Sequence, residues 1–268
     1  MKARVLVGIV GIPALIGAIW IGFPILTVVV GAAALIGLWE FNRMAKAWYA
    51  APYWPISLVW TILFVAHGQF AAEHGNFSAY LIGGGLALLL TFALVRRNRD
   101  ASNRCLSTAI GPLYTGFLLS HALLLREGAA GLEDGRDWLL YALLMTFAAD
   151  TGAFFVGRLL GRHTMAPTVS PAKTWEGLVG GLACAAGASV GLSSLLGLPI
   201  SLVCQLGIGL LLGITAALGD LAESFMKRRA GLKDSGVVVP GHGGILDRMD
   251  SLLVTLPVTF YVSAYIIA

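Results

Sequence analysis

The sequence predicts an all-α, polytopic integral membrane protein of about nine transmembrane helices. Three observations support this. Hydrophobic residues make up 57% of the chain and charged residues 12%, well below the roughly 25% charge of soluble domains, and that apolar excess is too large to bury in a soluble core of this size. Apolar runs near the ~20 residues a bilayer requires recur from one end of the chain to the other. The cationic side chains are also segregated between alternate loops. With the N-terminus placed in the cytoplasm and nine spans alternating, the outer loops hold only Arg126 and Arg136 of the 18 Lys and Arg residues. That is the division the positive-inside rule asks for, and a wrong span count would scramble it.

In chain order the spans fall near 5–21, 23–39, 56–72, 79–95, 106–125, 138–157, 177–196, 200–223 and 251–268. The break between the first two is only Gly22-Phe23-Pro24, so they form either a tight hairpin or one long kinked helix. Lys2 and Arg4 ahead of an apolar run would also suit a signal peptide, but no small-x-small site follows at the usual distance, which favours an uncleaved first span. The outer loop 126–137 carries Glu127, Glu133, Asp134 and Asp137. The three cysteines, Cys105, Cys184 and Cys204, have no paired metal spacing and read as free thiols. There is no long low-complexity linker and no internal repeat. The chain nevertheless divides its labour: 1–137 is a set of spans with ordinary loops, whereas in 138–268 polar residues gather in the loops 158–176 and 224–250, both cytoplasmic on the charge map.

Within that second half, Asp150 closes the apolar run that begins at Trp138 and lies about 18 Å along such a helix at 1.5 Å per residue. A carboxylate at that depth requires a cation, a proton or a water-filled cavity. It is either protonated and hydrogen-bonded between helices or part of a functional site; the Thr151-Gly152 that follow, and the arginines Arg158 and Arg162 beyond, favour the second. Ser170-Pro171-Ala172-Lys173 reads as a helix start, with Ser170 as N-cap and Pro171 as first helical residue. A helix N-terminus with a lysine in its first turn is a ready phosphate site, although a capped helix with a snorkelling lysine has the same pattern.

The densest polar stretch runs from Gly219 to Ser251 between two long apolar runs. Asp220, Glu223, Ser224 and Lys227 fall at i, i+3, i+4 and i+7, so they share one helical face. Asp247 and Asp250 sit where the last span begins, where the helix dipole by itself would favour acidic residues. Asp220 and Glu223 lie at the end of opposite polarity and need a counter-charge, which a metal or Lys227 would supply. Lys227, Arg228 and Arg229 would mark topology if they stood alone; beside an acidic face and the turn Pro240-Gly241-His242-Gly243-Gly244 they suit phosphate binding. His242 by itself is weak, since loop histidines are usually just solvated. The segment as a whole suits a divalent cation and a polyphosphate held at a membrane surface. Neither the phosphate-cradling Gly-x-x-x-x-Gly-Lys-Ser/Thr loop nor a dinucleotide glycine fingerprint is present.

The run Ser224, Lys227, Arg228, Lys233, Asp234, Pro240, His242, Gly243, Gly244, Asp247, Arg248 and Asp250 resembles the signature of the phosphatidate cytidylyltransferases, or CDP-diacylglycerol synthases, without departure from it. Asp150 to Arg158 and Ser170 to Gly177 are similar to the same family, so the motif resemblance covers roughly the second half of the chain. The resemblance implies transfer of a cytidylyl group from CTP to phosphatidic acid, giving CDP-diacylglycerol and pyrophosphate in phospholipid biosynthesis. It implies Mg2+, with a second cation in a shared acidic site, a homodimer, and a bacterial inner membrane with N-terminus and site cytoplasmic. Nucleic acid is not an expected partner. By position, Asp220 and Asp247 are the implied metal ligands, with Asp250 and Glu223 next. Lys173, Lys227, Arg228, Lys233 and Arg248 would neutralise phosphates, and Ser170, Ser224, His242 and Asp150 would complete the substrate site.

Physical chemistry fits that expectation. Two anionic substrates must meet, so cations are needed; one is a lipid, so the site belongs at a membrane surface; the other is cytosolic, so the site faces inward. The rivals are a CTP-dependent kinase of a lipid alcohol and an ion-coupled transporter. A transporter predicts polar groups near the midplane of several spans and repeats between halves, and the chain has one deep carboxylate and a cluster at one edge.

Overall fold

The computed structural model describes the chain from Lys2 to Ile267, apart from residues 49, 76, 97–98, 129–133, 237 and 239–242; of residues 2–10, 48, 99 and 267 it describes the backbone only. The expected class holds: the described residues form helices and their connections, with one two-stranded hairpin among them. Among the described residues eight helices are long and apolar enough to cross a membrane. The sequence predicts nine. The difference lies in the first helix, whose described apolar part, Gly11–Ile21, is shorter than a span. The chain divides by contacts into two units, residues 1–129 with 226–248 and residues 130–225 with 249–268.

The first unit begins with α1 (Lys2–Ile21) and α2 (Ile25–Trp48). They are two helices rather than one kinked rod. Gly22 takes a positive φ of 74° between them, a conformation that glycine adopts without steric cost. Arg126 donates from Nε to the Ile19 carbonyl at 2.7 Å, satisfying one of the acceptors that a helix end leaves open. Then follow α3 (Trp54–His74), α4 (Ser78–Arg96), α5 (Arg99–Pro112), a π-turn over Leu113–Phe117 and α6 (Leu118–Arg126). Pro112 has no N–H to give to the Thr108 carbonyl one turn back; the Ser57 hydroxyl of α3 supplies that bond at 3.2 Å. The core here gathers Trp60, Phe64, Leu89, Cys105 and Ala109.

In the second unit α7 (Gly135–Leu160) and α8 (Trp175–Leu195) pack backbone to backbone. A Cβ at Gly177 or Gly181 would stand 2.9 Å from the carbonyl oxygen of Ala153 or Ala149, and one at Gly152 would stand 2.5 Å from Cys184 Sγ. Small residues are what allow membrane helices to come this close. Between them lies a hairpin of β1 (Thr164–Ala166) and β2 (Ser170–Thr174), antiparallel, with Thr164 opposite Thr174 and Ala166 opposite Ser170. The hairpin overturns the expected helix start at Ser170 and Pro171. Those residues are extended, Pro171 being tolerated on an edge strand, and α8 begins five residues later. Its cap is Thr174, extended at φ −122° and ψ 154°, whose side chain accepts from the Gly177 N–H. The last two helices, α9 (Leu202–Arg229) and α10 (Leu246–Ile267), are divided between the units at Phe225/Met226 and Arg248/Met249. In the second unit Thr146 of α7 and Thr255 of α10 share a 2.8 Å hydrogen bond.

Candidate active site

In the second unit, four elements deliver charged side chains to one another. Gly219 allows α9 to lie against α10, since a Cβ there would stand 2.5 Å from the Asp250 carbonyl oxygen. Asp220 and Ser224 share a face, as their spacing predicts, and the Ser224 hydroxyl lies 3.4 Å from Asp220 Oδ1. From β2 comes Lys173, whose Nζ pairs with Asp220 Oδ2 at 2.7 Å. The hairpin that carries this lysine is fixed at its base: Glu176 of α8 accepts from the N–H groups of Arg162 and His163 at 3.1 and 3.2 Å and bonds the His163 ring at 2.6 Å. The hairpin therefore presents the lysine side chain, while Thr174 and Glu176 occupy the start of α8.

Three more carboxylates adjoin that ion pair. Asp150 of α7, about 15 Å from the C-terminal end of its helix, accepts from the Ser251 hydroxyl at 3.3 Å and lies within electrostatic reach of Lys173 and Asp220. The counter-charge that its depth requires is thus on hand. Asp250 accepts from the Ser251 N–H at 2.8 Å and shares a hydrogen bond with Glu223, whose side chain is fully buried. A cation between these two carboxyl groups would offset their mutual repulsion. Among the described residues no three His, Cys, Asp or Glu side chains converge as a ready-made metal cage. Magnesium does not ask for one, since it is usually held by one or two carboxylates with substrate phosphates and water. The donors present fit that habit.

The first unit holds a second lysine–carboxylate pair. Lys227 Nζ meets Asp247 Oδ1 at 2.7 Å, with 13% and 5% of their side chains exposed. The other oxygen of Asp247 accepts from the Ser235 N–H at 2.9 Å, the Ser235 hydroxyl at 3.0 Å and the Gly244 N–H at 2.7 Å. Asp247 stands in the first turn of α10, as expected. Arg228 reaches the Leu232 carbonyl at 3.4 Å, and Lys233 and Arg248 are exposed. Ser170 is half-buried in β2, three residues before Lys173. His242, with Pro240 and Gly241, lies outside the described residues.

The model of the cytidylyltransferase family matches residues 2–266. The chain belongs to that family. Its similarity to individual members runs the length of the protein. It is 31% identical over 267 residues to the phosphatidate cytidylyltransferase of Bacillus subtilis (strain 168), covering 98% of both chains. It is 32% identical over 294 residues to that of Haemophilus influenzae, covering 97% of this chain and 98% of the relative. To the Staphylococcus haemolyticus enzyme it is 38% identical over 174 residues, 63% of each chain. Lysines against carboxylates are what a cytidylyltransferase, which handles a nucleoside triphosphate, has to carry. One residue that no sequence motif marks reaches the second pair through Ser235. Glu40, in α2, is fully buried and accepts from the Ser235 hydroxyl at 3.1 Å. Its only sequence signal is a lone carboxylate directly after an apolar run.

Proposed function

We propose that this membrane protein transfers the cytidylyl group of CTP to phosphatidic acid, releasing pyrophosphate and leaving CDP-diacylglycerol in the bilayer. The observation that carries the proposal is the Lys173–Asp220 pair set among Asp150, Glu223 and Asp250, in a chain whose full-length relatives are phosphatidate cytidylyltransferases. In the reaction a phosphate oxygen of the lipid attacks the α-phosphorus of CTP, a new P–O bond forms, and the bond to the β-phosphate oxygen breaks as pyrophosphate departs. No protein nucleophile is required. The protein must bring two anions together and stabilise the charge that builds on the departing pyrophosphate. In each unit a lysine would serve this, Lys173 in the second and Lys227 in the first, and each is held by a carboxylate that orients its ammonium. Arg228, Lys233 and Arg248 add positive charge for the rest of the polyphosphate and the lipid head group.

In the second unit Asp220, Glu223 and Asp250 would hold Mg2+; in the first, Asp247 could act as a ligand only by exchanging its Lys227 ammonium for an ion. When bound, magnesium supplies charge neutralisation and polarisation of the phosphates. We place the protein in the bacterial cytoplasmic membrane with its N-terminus and both lysine pairs on the cytoplasmic side. The division of Lys and Arg between alternate loops supports this side. Two contacts in the first unit agree with alternation, though not with one side over the other: the C-terminal ends of α1 and α6 meet through Arg126, and the C-terminal part of α2 meets Ser235 through Glu40. The test is to incubate the purified protein in mixed micelles with labelled CTP, phosphatidate and Mg2+. A labelled lipid and released pyrophosphate are expected. No labelled lipid with phosphatidate, but one with a polyprenol, would replace the proposal with a lipid-alcohol kinase.

A further inference from the structure

Glu40 lies in α2, far in sequence from every polar motif, yet residues 235–236 and 244–246 close around it. Its Oε1 accepts from the Ile245 N–H at 3.0 Å, and its Oε2 accepts from the Leu246 N–H at 2.9 Å and the Ser235 hydroxyl at 3.1 Å. Two of these donors are amides at the start of α10, which have no partner within their own helix, and a negative charge there also complements the helix dipole. Glu40 thus caps α10 from a different helix. The fit is tight on both sides. A Cβ on Gly236 would run into Glu40 Oε1, and one on Gly244 would run into the Ser235 hydroxyl and stand 2.5 Å from Glu40 Oε1. Only glycine allows the backbone to wrap the carboxylate so closely.

The same contacts lead to the lysine. Ser235 has one hydroxyl proton and faces two carboxylates, Glu40 at 3.1 Å and Asp247 at 3.0 Å. A hydroxyl donates once, so the position of its proton depends on both. Asp247 in turn holds Lys227 at 2.7 Å. A continuous polar line therefore runs Glu40, Ser235, Asp247, Lys227, from a fully buried anion to a cation proposed to bind phosphate.

We propose that Glu40 is a positioning residue for cytidylyl transfer: through Ser235 and the amides of Ile245 and Leu246 it fixes the start of α10, which carries Asp247 and so aims the Asp247–Lys227 pair. This rests on the reaction proposed above, and the two are separable in one assay. If wild-type protein makes no labelled lipid, the reaction is wrong, whatever Glu40 does. With wild type active, Glu40→Gln loses the charge and turns an acceptor into a donor facing donors. Loss of a residue that supports a charged site from behind typically costs 10–100-fold, and kcat/KM for CTP should fall by about that much, with KM rising at least threefold. A merely structural role would lower the active fraction and leave KM alone. Glu40→Asp keeps the charge one methylene short and should recover part of the loss. Ser235→Ala breaks the line without disturbing the two amide bonds; it should raise KM in the same direction, and its effect should not add to that of Glu40→Gln. Wild-type kinetics in Glu40→Gln, a loss confined to active fraction, or full additivity of the two substitutions would each overturn the proposal. If Glu40→Gln does not fold, Ser235→Ala decides alone, and wild-type KM in it overturns the proposal.

Discussion

Removing Lys173 tests whether its pairing with Asp220 belongs to the fold or to the chemistry. At 2.7 Å the gross attraction of two unit charges is about 6 kcal/mol at an effective dielectric of 20. Desolvation offsets most of that. The two side chains are 19% and 35% exposed, between a surface pair at about 0–1 kcal/mol and a broken buried pair at about 3–5 kcal/mol. Lys173→Ala should therefore destabilise the protein by about 2 kcal/mol, because Asp220 is left facing Asp150 and Asp250 with no cation between them. The effect on catalysis should be larger, about 100–1,000-fold in kcat, the loss typical of removing one preorganised group that stabilises transition-state charge. A second substitution separates the two effects. Asp220→Asn in the Lys173→Ala background removes the stranded charge, so Tm in detergent should return most of the way to wild type while transfer activity stays lost. The assays are thermal unfolding and release of labelled pyrophosphate on the same preparations. Lys173→Ala at more than a tenth of wild-type kcat, or a double variant that regains activity along with Tm, would refute the reasoning and make the pair a structural tie.

Three further outcomes follow from the same geometry. Asp220→Asn and Asp250→Asn each keep side-chain shape and lose charge; each should remove nearly all transfer and raise the Mg2+ needed for half-activity at least tenfold, read from activity titrated against Mg2+. Gly219→Ala forces a methyl to within 2.5 Å of the Asp250 carbonyl; spreading α9 from α10 should cost about 1–3 kcal/mol and lower kcat more than tenfold, measured by thermal unfolding beside the transfer assay. An impermeant thiol reagent should label Asp134→Cys from outside intact cells and Lys233→Cys only after lysis; the reverse would overturn the inward-facing site. Lys233 suits this test because it is exposed, whereas the nearby Ser235 is buried.

The helices were legible because in a bilayer hydrophobic length alone specifies a span. Asp220 and Ser224 were legible for a local reason, since i and i+4 on a helix meet whatever surrounds them. The hairpin was not. Ser170-Pro171 is a good helix start by local preference, and the backbone pairing with 164–166 that overrides it lies outside that short window. The same holds for Lys173: local preference puts it in the first turn of a helix, and it reaches Asp220 from a strand. Glu40 was invisible for a stronger form of that reason, because its partners lie some 200 residues away and no pattern of spacing connects them. The separation of the first two spans likewise hung on Arg126, which caps α1 from the far end of α6.

The glycine seam between α7 and α8 also limits traffic. A hydrocarbon chain sliding between two helices needs carbon-to-carbon clearance of about 3.5–4 Å on each side. Along this seam even a single methyl on Gly177 or Gly181 would stand 2.9 Å from the opposing backbone. Toward the surrounding lipid the two helices therefore form a closed wall, and the tails of a diacyl substrate have no path through it to Asp150. In the proposed reaction the lipid would approach that carboxylate along some other flank of the protein.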